Sequence, residues 1–212
     1  MSKIEEVTGQ KAILRFEGKK CIHSRHCVLD RPDVFVPNVQ GAWIHPDNAS
    51  VPELAEIARN CPSGAITFEP LDGTPGESAP LVNVARVREN GPVAIHAEIS
   101  IDGHGSALRA TLCRCGASNN KPFCDGSHSA ANFTATGEPA TAPSQPLATR
   151  GGPLTITPLK NGPLLVSGNL EICSGTGRTL NRVEKTALCR CGQSANKPYC
   201  DGTHNKVGFK TE

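Results

Sequence analysis

Hydrophobic and polar positions divide the first 70 residues into short alternating elements. Alternation of apolar and polar residues predicts three strands, over residues 12–16, 42–45 and 65–68. A helix is expected before the third strand, because Ser50 and Glu53 form a capping-box signature and apolar residues then recur at helical spacing as far as Cys61. A brief helix around Val28 should end before Pro32. Together these elements predict a small α+β domain.

The rest of the chain contains two similar series of predicted strands. The first series is expected over residues 81–87, 93–101 and 107–112, and the second over residues 154–157 and 164–167. Each series has an Asn-Gly-Pro turn. Stretches rich in Pro, Gly and small polar residues are typical of linkers, here residues 69–79 and 137–152. The predicted fold class is therefore α+β, with domains over residues 1–70, 80–136 and 153–212.

Composition argues against one large hydrophobic core. Only 4% of the 212 residues are aromatic, whereas Gly and Pro number 21 and 17, so folding is expected to need a supplement such as metal binding. The ten cysteines can supply it. The N-terminus has no apolar segment typical of a secretory signal, which favours a cytoplasmic protein with reduced thiols over a disulfide framework.

Charge and hydropathy argue against two classes of partner. The formal net charge is +2, and Lys and Arg are scattered along the chain, so the basic run typical of a nucleic-acid-binding protein is missing. No stretch reaches the roughly 18 to 20 consecutive apolar residues that a membrane span needs. We therefore expect neither nucleic acid nor a membrane as a partner.

One stretch occurs twice and contains most of the cysteines. Residues 112–128 read LCRCGASNNKPFCDGSH, and residues 188–204 read LCRCGQSANKPYCDGTH. The two copies are offset by 76 residues, whereas the Asn-Gly-Pro turns before them are offset by 71. The second copy therefore has five additional residues before its cysteines, which we expect in a loop.

Each copy has the spacing of a four-ligand metal site. The donors in order are three thiolates and one imidazole. The first copy supplies Cys113, Cys115, Cys124 and His128, and the second supplies Cys189, Cys191, Cys200 and His204. Two pairs of ligands, Cys-x-Cys followed by Cys-x3-His, fit the two irons of a 2Fe-2S cluster. From spacing alone, a structural zinc site remains open, and a disulfide framework is a third reading.

Local sequence indicates how the ligand pairs would form. Gly116 permits the sharp bend that lets two nearby thiolates bind the same metal ion. Asp125 and Ser127 can cap a short helix after Cys124, and one helical turn then brings His128 over that cysteine. The motif is therefore expected as a bent loop followed by a helical turn.

Both stretches resemble the CDGSH iron-sulfur family, also called the NEET proteins. Residues 124–128 match the family name letter for letter, and residues 200–204 differ only by Thr203, which keeps the hydroxyl group. The resemblance implies a 2Fe-2S cluster in each copy, bound by the ligands named above. Family members with one motif are two-fold dimers. The resemblance therefore implies a monomer in which two β-rich CDGSH units form an intramolecular pseudo-two-fold pair.

The imidazole ligand has two expected consequences. One histidine among four ligands should place the reduction potential between those of plant-type clusters and Rieske centres. A protonated imidazole cannot bind metal, so acid should compete for His128 and His204 and loosen the clusters as pH falls.

Two pairs of basic residues accompany the motifs. Arg114 and Arg190 each lie between two paired cysteines, where a cation would stabilise the reduced cluster. A solvated arginine is the equal alternative for both positions. Lys121 and Lys197 are expected to be surface charges.

Three further cysteines, Cys21, Cys27 and Cys61, form a different pattern. A cysteine run completed by a remote Cys-Pro is typical of bacterial ferredoxins, but Ser24 replaces the middle cysteine. Three thiolates suit a 3Fe-4S cluster, or a 4Fe-4S cluster with a fourth ligand of another kind. Residues 16–68 resemble the divergent mono-cluster 4Fe-4S ferredoxin domain, which implies a ferredoxin-like fold and a third cluster. The matching residues are 21–23, 27, 32–35 and 61–66.

The remaining candidate residues have no assigned partner. His23 or Ser24 could supply the missing ligand and His26 could support it. All three also suit an ordinary polar loop. Cys173 belongs to neither ligand set and is predicted to be a structural thiol.

The sequence favours an iron-sulfur protein that is not an enzyme. No phosphate-binding glycine loop, nucleophile elbow or carboxylate pair for acid-base chemistry is recognisable. The leading hypothesis is an electron carrier with a redox partner protein. A second is a cluster donor, or a redox or pH sensor, that releases clusters to an apo-acceptor through the labile histidine. A third is a zinc-stabilised interaction module.

Overall fold

The computed structural model describes residues 4–211 and divides the chain into two compact units, Met1–Ser78 and Ala79–Glu212. Nine strands and four short helices form among the described residues, which confirms the α+β class. Both copies of the repeated motif lie in the second unit. The predicted boundaries of three domains stay a prediction.

The first unit contains a three-stranded antiparallel sheet. Its strands pair in chain order, and they are β1 (Ile4–Thr8), β2 (Ala12–Glu17) and β3 (Ile66–Pro70). The central strand buries Leu14 completely. Four of the five β1 residues are exposed, so this edge strand has no buried alternating face that the sequence could have revealed.

The strand predicted over residues 42–45 is wrong. Its only ladder contact is a single bridge between Phe35 and Ile44. The chain cannot continue the pairing, because Gly41 takes a left-handed conformation on one side and a 3-10 turn begins at Pro46 on the other. Ile44 is buried without forming part of a strand.

Two helices complete the first unit, α1 (His26–Asp30) and α2 (Val51–Asn60). The predicted capping box is confirmed, since the backbone N–H of Ser50 donates to the Glu53 carboxylate over 2.8 Å. The helix buries one apolar face, formed by Val51, Leu54, Ile57 and Ala58. Because α2 ends at Cys61, its apolar face delivers that thiol to the core, where Cys61 is 9% exposed.

The second unit is built from two similar sets of three strands. The first repeat contributes β4 (Val84–Val87), β5 (Val93–Ile101) and β6 (Gly105–Leu112). The second contributes β7 (Pro153–Pro158), β8 (Leu164–Cys173) and β9 (Thr179–Leu188). Within each repeat the strands pair antiparallel in chain order. A one-turn helix follows each motif, α3 (Ser127–Ala130) and α4 (Thr203–Lys206).

Strands of the two repeats also pair with each other. The first strand of each repeat runs parallel to the middle strand of the other, so β4 pairs with β8 and β7 pairs with β5. In the second pairing Ile99 lies opposite Leu154, and both side chains are buried. One six-stranded sheet and one hydrophobic core therefore contain residues from both repeats.

The five additional residues of the second repeat do not all lie in a loop, as we had expected. The connection between β8 and β9 has two residues more than that between β5 and β6, and the other three lengthen the strands. Because strand pairing satisfies the backbone groups of added residues, extending a hairpin is as favourable as enlarging its loop.

Residues 137–152 connect the repeats without forming a helix or strand. Hydrogen bonds nonetheless hold this segment to the second repeat. Ala142 N–H donates to Leu180 O over 2.8 Å, and the Arg178 guanidinium donates to Pro139 O over 3.3 Å. No helix within residues 4–211 is long and apolar enough to cross a membrane.

Asn83 joins the repeats where β4 begins. Its side chain is fully buried, and its amide nitrogen donates to Gly152 O over 2.8 Å and to Asn169 O over 2.9 Å. Its backbone carbonyl accepts from Glu171 N–H. Asn83 therefore holds the first repeat to the connection between the repeats and to β8 of the second repeat.

We expect Asn83→Ala to lower the free energy of unfolding of the second unit by about 1–3 kcal/mol, because two buried carbonyl groups lose their donor. Urea unfolding followed by circular dichroism measures this change. Trp43, the single tryptophan of the chain, lies in the first unit, so its fluorescence should report an unchanged transition there. An unaltered circular dichroism transition would contradict the role given to Asn83.

Candidate metal centres

Each CDGSH-type motif forms a loop closed at its base. In the first repeat Leu112 bridges Phe123, Cys113 N–H donates to Pro122 O, and Cys124 N–H donates to Thr111 O. The second repeat has the same contacts at positions shifted by 76. The base of the loop therefore places the first and third cysteines of each motif beside each other.

The eight predicted ligands of the two motifs come together as four pairs. The Sγ atoms of Cys113 and Cys115 are 3.7 Å apart, and Cys124 Sγ lies 3.4 Å from His128 Nδ1. The corresponding distances in the second repeat are 3.8 and 3.4 Å. Two sulfur ligands on one tetrahedral metal ion, with bonds of about 2.3 Å, lie about 3.7 Å apart, and a sulfur and a nitrogen ligand lie about 3.6 Å apart. Each pair therefore fits one metal ion.

The pairs are not arranged around a common single ion. Among residues 4–211, no three side chains of His, Cys, Asp or Glu converge on one position for a metal ion. Each motif instead offers two metal positions, one for the Cys-x-Cys pair and one for the Cys-x3-His pair. The donor set of thiolates and imidazole suits the irons of a 2Fe-2S cluster.

Backbone N–H groups surround the sulfur ligands. Ala117 N–H points at Cys115 Sγ over 3.4 Å, and Gly126 N–H points at Cys124 Sγ over 3.5 Å. The second repeat repeats both contacts. Such donors stabilise negative charge on sulfur and favour the reduced state of a bound cluster.

The aspartate of each motif connects the loop to the histidine helix. The Asp125 carboxylate accepts hydrogen bonds from Ser127 N–H and Asn119 N–H, over 3.0 and 2.8 Å. Desolvation opposes the effect, but these bonds keep the pKa of Asp125 below its usual value. The expectation that Asp125 and Ser127 occupy the cap is wrong: Gly126 is the N-cap residue, Ser127 is the first residue of the helix, and Asp125 accepts from the N–H of that first residue.

The thiols of the first motif differ in acidity. A hydrogen bond from the Cys115 thiol lowers the pKa of Cys113, so Cys113 is the thiol of this pair that loses its proton more readily. Burial raises the pKa of Cys124 to about 11. A metal ion must therefore displace a proton from Cys124, and metal binding is expected to weaken in acid.

Arg114 is a buried structural cation. Its side chain is fully buried, and its guanidinium donates to the carbonyl groups of Gly91 and Thr136 over 2.8 and 3.0 Å. It also lies 5.3 Å from the centre of the Phe133 ring. The alternative of a solvated arginine is therefore wrong for this position.

Arg190 repeats this arrangement at 4% exposure, with the Gly162 and Leu159 carbonyl groups as acceptors and Phe209 as the ring partner. The two cations also act across the repeats. Arg114 interacts electrostatically with Cys189, and Arg190 with Cys113. Each motif is therefore influenced by a positive charge from the other.

Lys121 and Lys197, each of which precedes a cis-proline, form hydrogen bonds with the backbone. The ammonium group of Lys121 donates to Ser118 O, and that of Lys197 donates to Ser194 O over 2.6 Å. These bonds brace the loop between the second and third cysteines. The expectation of plain surface charges is therefore wrong.

The two motif loops touch each other through their glycines. Gly116 has φ +84°, and a Cβ atom there would lie 2.6 Å from the Cys191 carbonyl oxygen. Gly192 has φ +80°, and a Cβ atom there would collide with the Cys115 carbonyl oxygen. The bend predicted at Gly116 is present, but the sequence could not reveal that each glycine also leaves room for a ligand residue of the other repeat.

We expect Gly116→Ala to perturb the metal centres of both repeats, because the new methyl group must displace the backbone of Cys191. Iron content and the visible absorption spectrum measure this loss. Gly103→Ala is the matched control, since Gly103 has a similar φ of +77° but open space around its Cβ position. Both variants share the strain of a left-handed conformation, so equal loss of iron in the two would contradict a role for the close approach.

The three N-terminal cysteines line a cavity of about 490 Å³ in the first unit. Apolar side chains supply much of its wall, including Phe16, Ile22, Trp43 and Ile66. Burial raises the pKa values of Cys21 and Cys27, and the neighbouring thiols raise them further. A pocket with three thiols and a largely apolar wall can hold a cluster of three or four irons.

The segment between Cys21 and Cys27 curves around this cavity. His23 and Arg25 take positive φ values of 53° and 66°, and His23 N–H points at Cys21 Sγ over 3.4 Å. The three candidates for the missing ligand or its support all line the cavity, namely His23, Ser24 and His26.

Two further residues bear on the cysteine assignments. Ser63 is 2% exposed, and its hydroxyl lies 3.7 Å from Cys61 Sγ. The sequence did not single out Ser63, although it directly follows the Cys-Pro pair. Cys173 is buried at the end of β8, where burial raises its pKa, in keeping with a structural thiol.

Comparison with known proteins finds matches for both cysteine motifs and for the N-terminal part of the chain. Residues 90–129 and 161–205 match the family model described as iron-binding zinc finger, CDGSH type. Residues 7–69 match the model of the divergent 4Fe-4S mono-cluster. The chain is also 34% identical, over 62 residues, to the uncharacterized protein YjdI of Escherichia coli strain K12, an alignment that covers 29% of this chain and 79% of the relative. YjdI of strain O157:H7 matches to the same extent.

The family-model matches fall on the two repeats and on the part of the chain that contains the N-terminal cysteines. The predicted fusion is therefore confirmed: two segments of the iron-binding CDGSH type are joined to an N-terminal segment of the divergent 4Fe-4S mono-cluster type, which indicates an iron-sulfur protein.

Proposed function

We propose that this protein is an electron carrier with two 2Fe-2S clusters and a third cluster of the 3Fe-4S or 4Fe-4S type. A bound cluster supplies a one-electron redox couple. The observation that carries the proposal is the arrangement of each CDGSH ligand set in two pairs, at the spacing of two tetrahedral metal positions. A structural zinc ion would need all four donors around one position, so the pairs favour a binuclear cluster.

The cluster ligands proposed for the second unit are Cys113, Cys115, Cys124 and His128 in one repeat and Cys189, Cys191, Cys200 and His204 in the other. We further propose that the repeats form an intramolecular pseudo-two-fold pair. Support comes from three reciprocal features: the exchange of strand pairs between repeats, the mutual glycine contacts, and the crossed influence of the two buried arginines.

Cys21, Cys27 and Cys61 are the proposed ligands of the third cluster. The thiols interact electrostatically around one apolar cavity, and three thiolates are enough for a 3Fe-4S cluster. A 4Fe-4S cluster would take a fourth ligand from the loop that carries His23 and Ser24. The residues around the cavity hold the thiols in place.

A carrier is favoured over a cluster donor by the number of contacts that hold each motif. Backbone donors on sulfur, a braced loop and a buried arginine all resist the release of iron and sulfide. The half-buried histidine is the weakest point of this enclosure. We assign no catalytic role to the chain, and we propose a redox protein as its partner.

Reversible reduction tests the proposal. The anaerobically purified protein should contain about two irons per CDGSH motif, plus three or four for the third cluster, with sulfide to match. Repeated cycles of dithionite reduction and reoxidation should leave the absorption spectrum unchanged, while EPR during a redox titration counts the clusters. Zinc in place of iron would contradict the clusters. Loss of colour to an apo-ferredoxin during cycling would favour the donor hypothesis.

We expect His128→Cys to protect one cluster from acid. In the native protein the bleaching rate should rise about tenfold per unit of decreasing pH if one proton displaces the imidazole. The variant replaces the titratable ring at one centre only. The loss of absorbance in acid, followed by stopped flow, should therefore become biphasic, and the slow phase from the altered centre should depend little on pH.

His204 provides the internal control, because its cluster should still bleach at the native rate. His45→Ala removes a histidine outside all ligand sets and should leave the kinetics unchanged. A single native-like phase in His128→Cys would remove histidine protonation from the release of the cluster.

A further inference from the structure

The surfaces beside the two histidine ligands differ in charge. In the second repeat three exposed lysines occupy the turn before the hairpin, the end of α4 and the segment after it. They are Lys160, Lys206 and Lys210, here called the basic rim. The equivalent residues of the first repeat, at offsets of 71 and 76, are Glu89, Ala130 and Thr134. The same three positions therefore carry a formal charge of +3 in one repeat and −1 in the other.

Hydrogen bonds bring distant parts of the basic rim together. Asn161 N–H donates to Thr211 Oγ1 over 2.9 Å, and Thr211 N–H donates to Asn161 Oδ1 over 2.8 Å. Lys160 and Lys210 are the chain neighbours of these two residues. The rim is therefore assembled by the fold, although its lysines are 50 residues apart in sequence.

The basic rim is adjacent to a proposed metal ligand, His204. Lys206 is the last residue of the helix that carries His204. In the first repeat the equivalent turn approaches the other ligand, since a Cβ on Gly91 would lie 3.9 Å from His128 Nε2. Both histidines are half-buried, so each keeps part of its surface accessible to solvent.

The lysines of the rim are available to a partner. None of the three forms an ion pair with another residue in the described part of the chain, residues 4–211. Two exposed apolar side chains accompany them, Leu159 at 37% and Val207 at 52% exposure. Unpaired cations around a small apolar contact are typical of a surface that attracts and then docks an oppositely charged protein.

We propose that the basic rim is the docking surface for a redox protein with a carboxylate-rich surface, and that electrons enter or leave through the second repeat. This assignment rests on the proposed electron-carrier function and deepens it. The partner's carboxylates face the three ammonium groups, and its redox centre lies over the histidine face. Glu89 repels the same partner from the first repeat, so the two CDGSH centres have different access to it.

Electron transfer from a reduced acidic flavodoxin to the oxidised holoprotein tests the docking surface. Each flavin hydroquinone loses one electron and becomes a semiquinone, and one cluster gains that electron. We expect the triple variant K160E/K206E/K210E to react at least about tenfold more slowly at low ionic strength, and the difference to disappear in concentrated salt. Stopped-flow absorbance follows both reactants.

Two variants serve as controls. K11E/R59E/K185E makes the same change in net charge at three exposed positions that are not part of the rim, and it should react at nearly the native rate. E89K/A130K/T134K gives the first repeat the charges of the second and should accelerate the reaction. Iron content of every variant verifies that the clusters are retained.

The outcomes separate the docking surface from the carrier function. Equal rates for the native protein and K160E/K206E/K210E, with clusters that still cycle reversibly, would overturn the docking surface alone. Clusters that bleach on reduction would count against the carrier function. Binding of the native protein to phosphatidylserine vesicles or duplex DNA, without reaction with flavodoxin, would assign the rim to another partner and also overturn the proposal.

Discussion

Parallel pairing between strands of different repeats is the interaction on which the second unit depends. A three-stranded meander from one repeat has unpaired backbone groups along its two edges and one apolar face. The repeat alone can neither pair those edges nor bury that face. Strands β4 and β7 each supply hydrogen bonds to the middle strand of the other repeat, and this pairing places Ile99 opposite Leu154 in a shared core. The metal-binding loops are positioned on this common sheet.

Close approach of the two loops follows from the shared sheet. Gly116 and Gly192 permit contact with a carbonyl group of the opposite motif, and Arg114 and Arg190 place positive charge between regions rich in thiols. Buried guanidinium groups are stable here because backbone carbonyl groups accept their N–H bonds. Packing and electrostatics therefore link the ligand sets, so a change at one motif is felt at the other.

Local patterns were sufficient to predict much of the fold and the ligand sets. The capping box at Ser50 and Glu53, the helix that leads to Cys61, and the paired spacing within each motif depend on residues that are close in sequence. The prediction of a strand around Ile44 was wrong, because an apolar alternation over four residues does not indicate whether a partner strand is present. Edge strand β1 was not predicted, because it has a partner strand but no alternating apolar face in its sequence.

Contacts between distant segments were beyond the sequence patterns. Nothing in the sequence distinguishes Asn83 from other polar residues. Its role depends on two hydrogen bonds to residues 69 and 86 positions away. The lysines beside His204 were read as scattered charges, because hydrogen bonds between Asn161 and Thr211, rather than chain proximity, bring two of them together. Buried Arg114 was equally ambiguous, since only the surrounding carbonyl groups distinguish it from a solvated side chain.

The covalent connection over residues 137–152 changes the assembly from a second-order to a first-order process. Two separate chains that exchange strands would come apart on dilution, whereas segments joined by a tether meet at a local concentration that the tether length sets. The backbone of Ala142 is also hydrogen-bonded to the second repeat, so fewer residues of the connection act as a flexible linker. Retention of both centres should thus be the same at nanomolar and millimolar protein, and a homodimer of single-motif chains has no such independence.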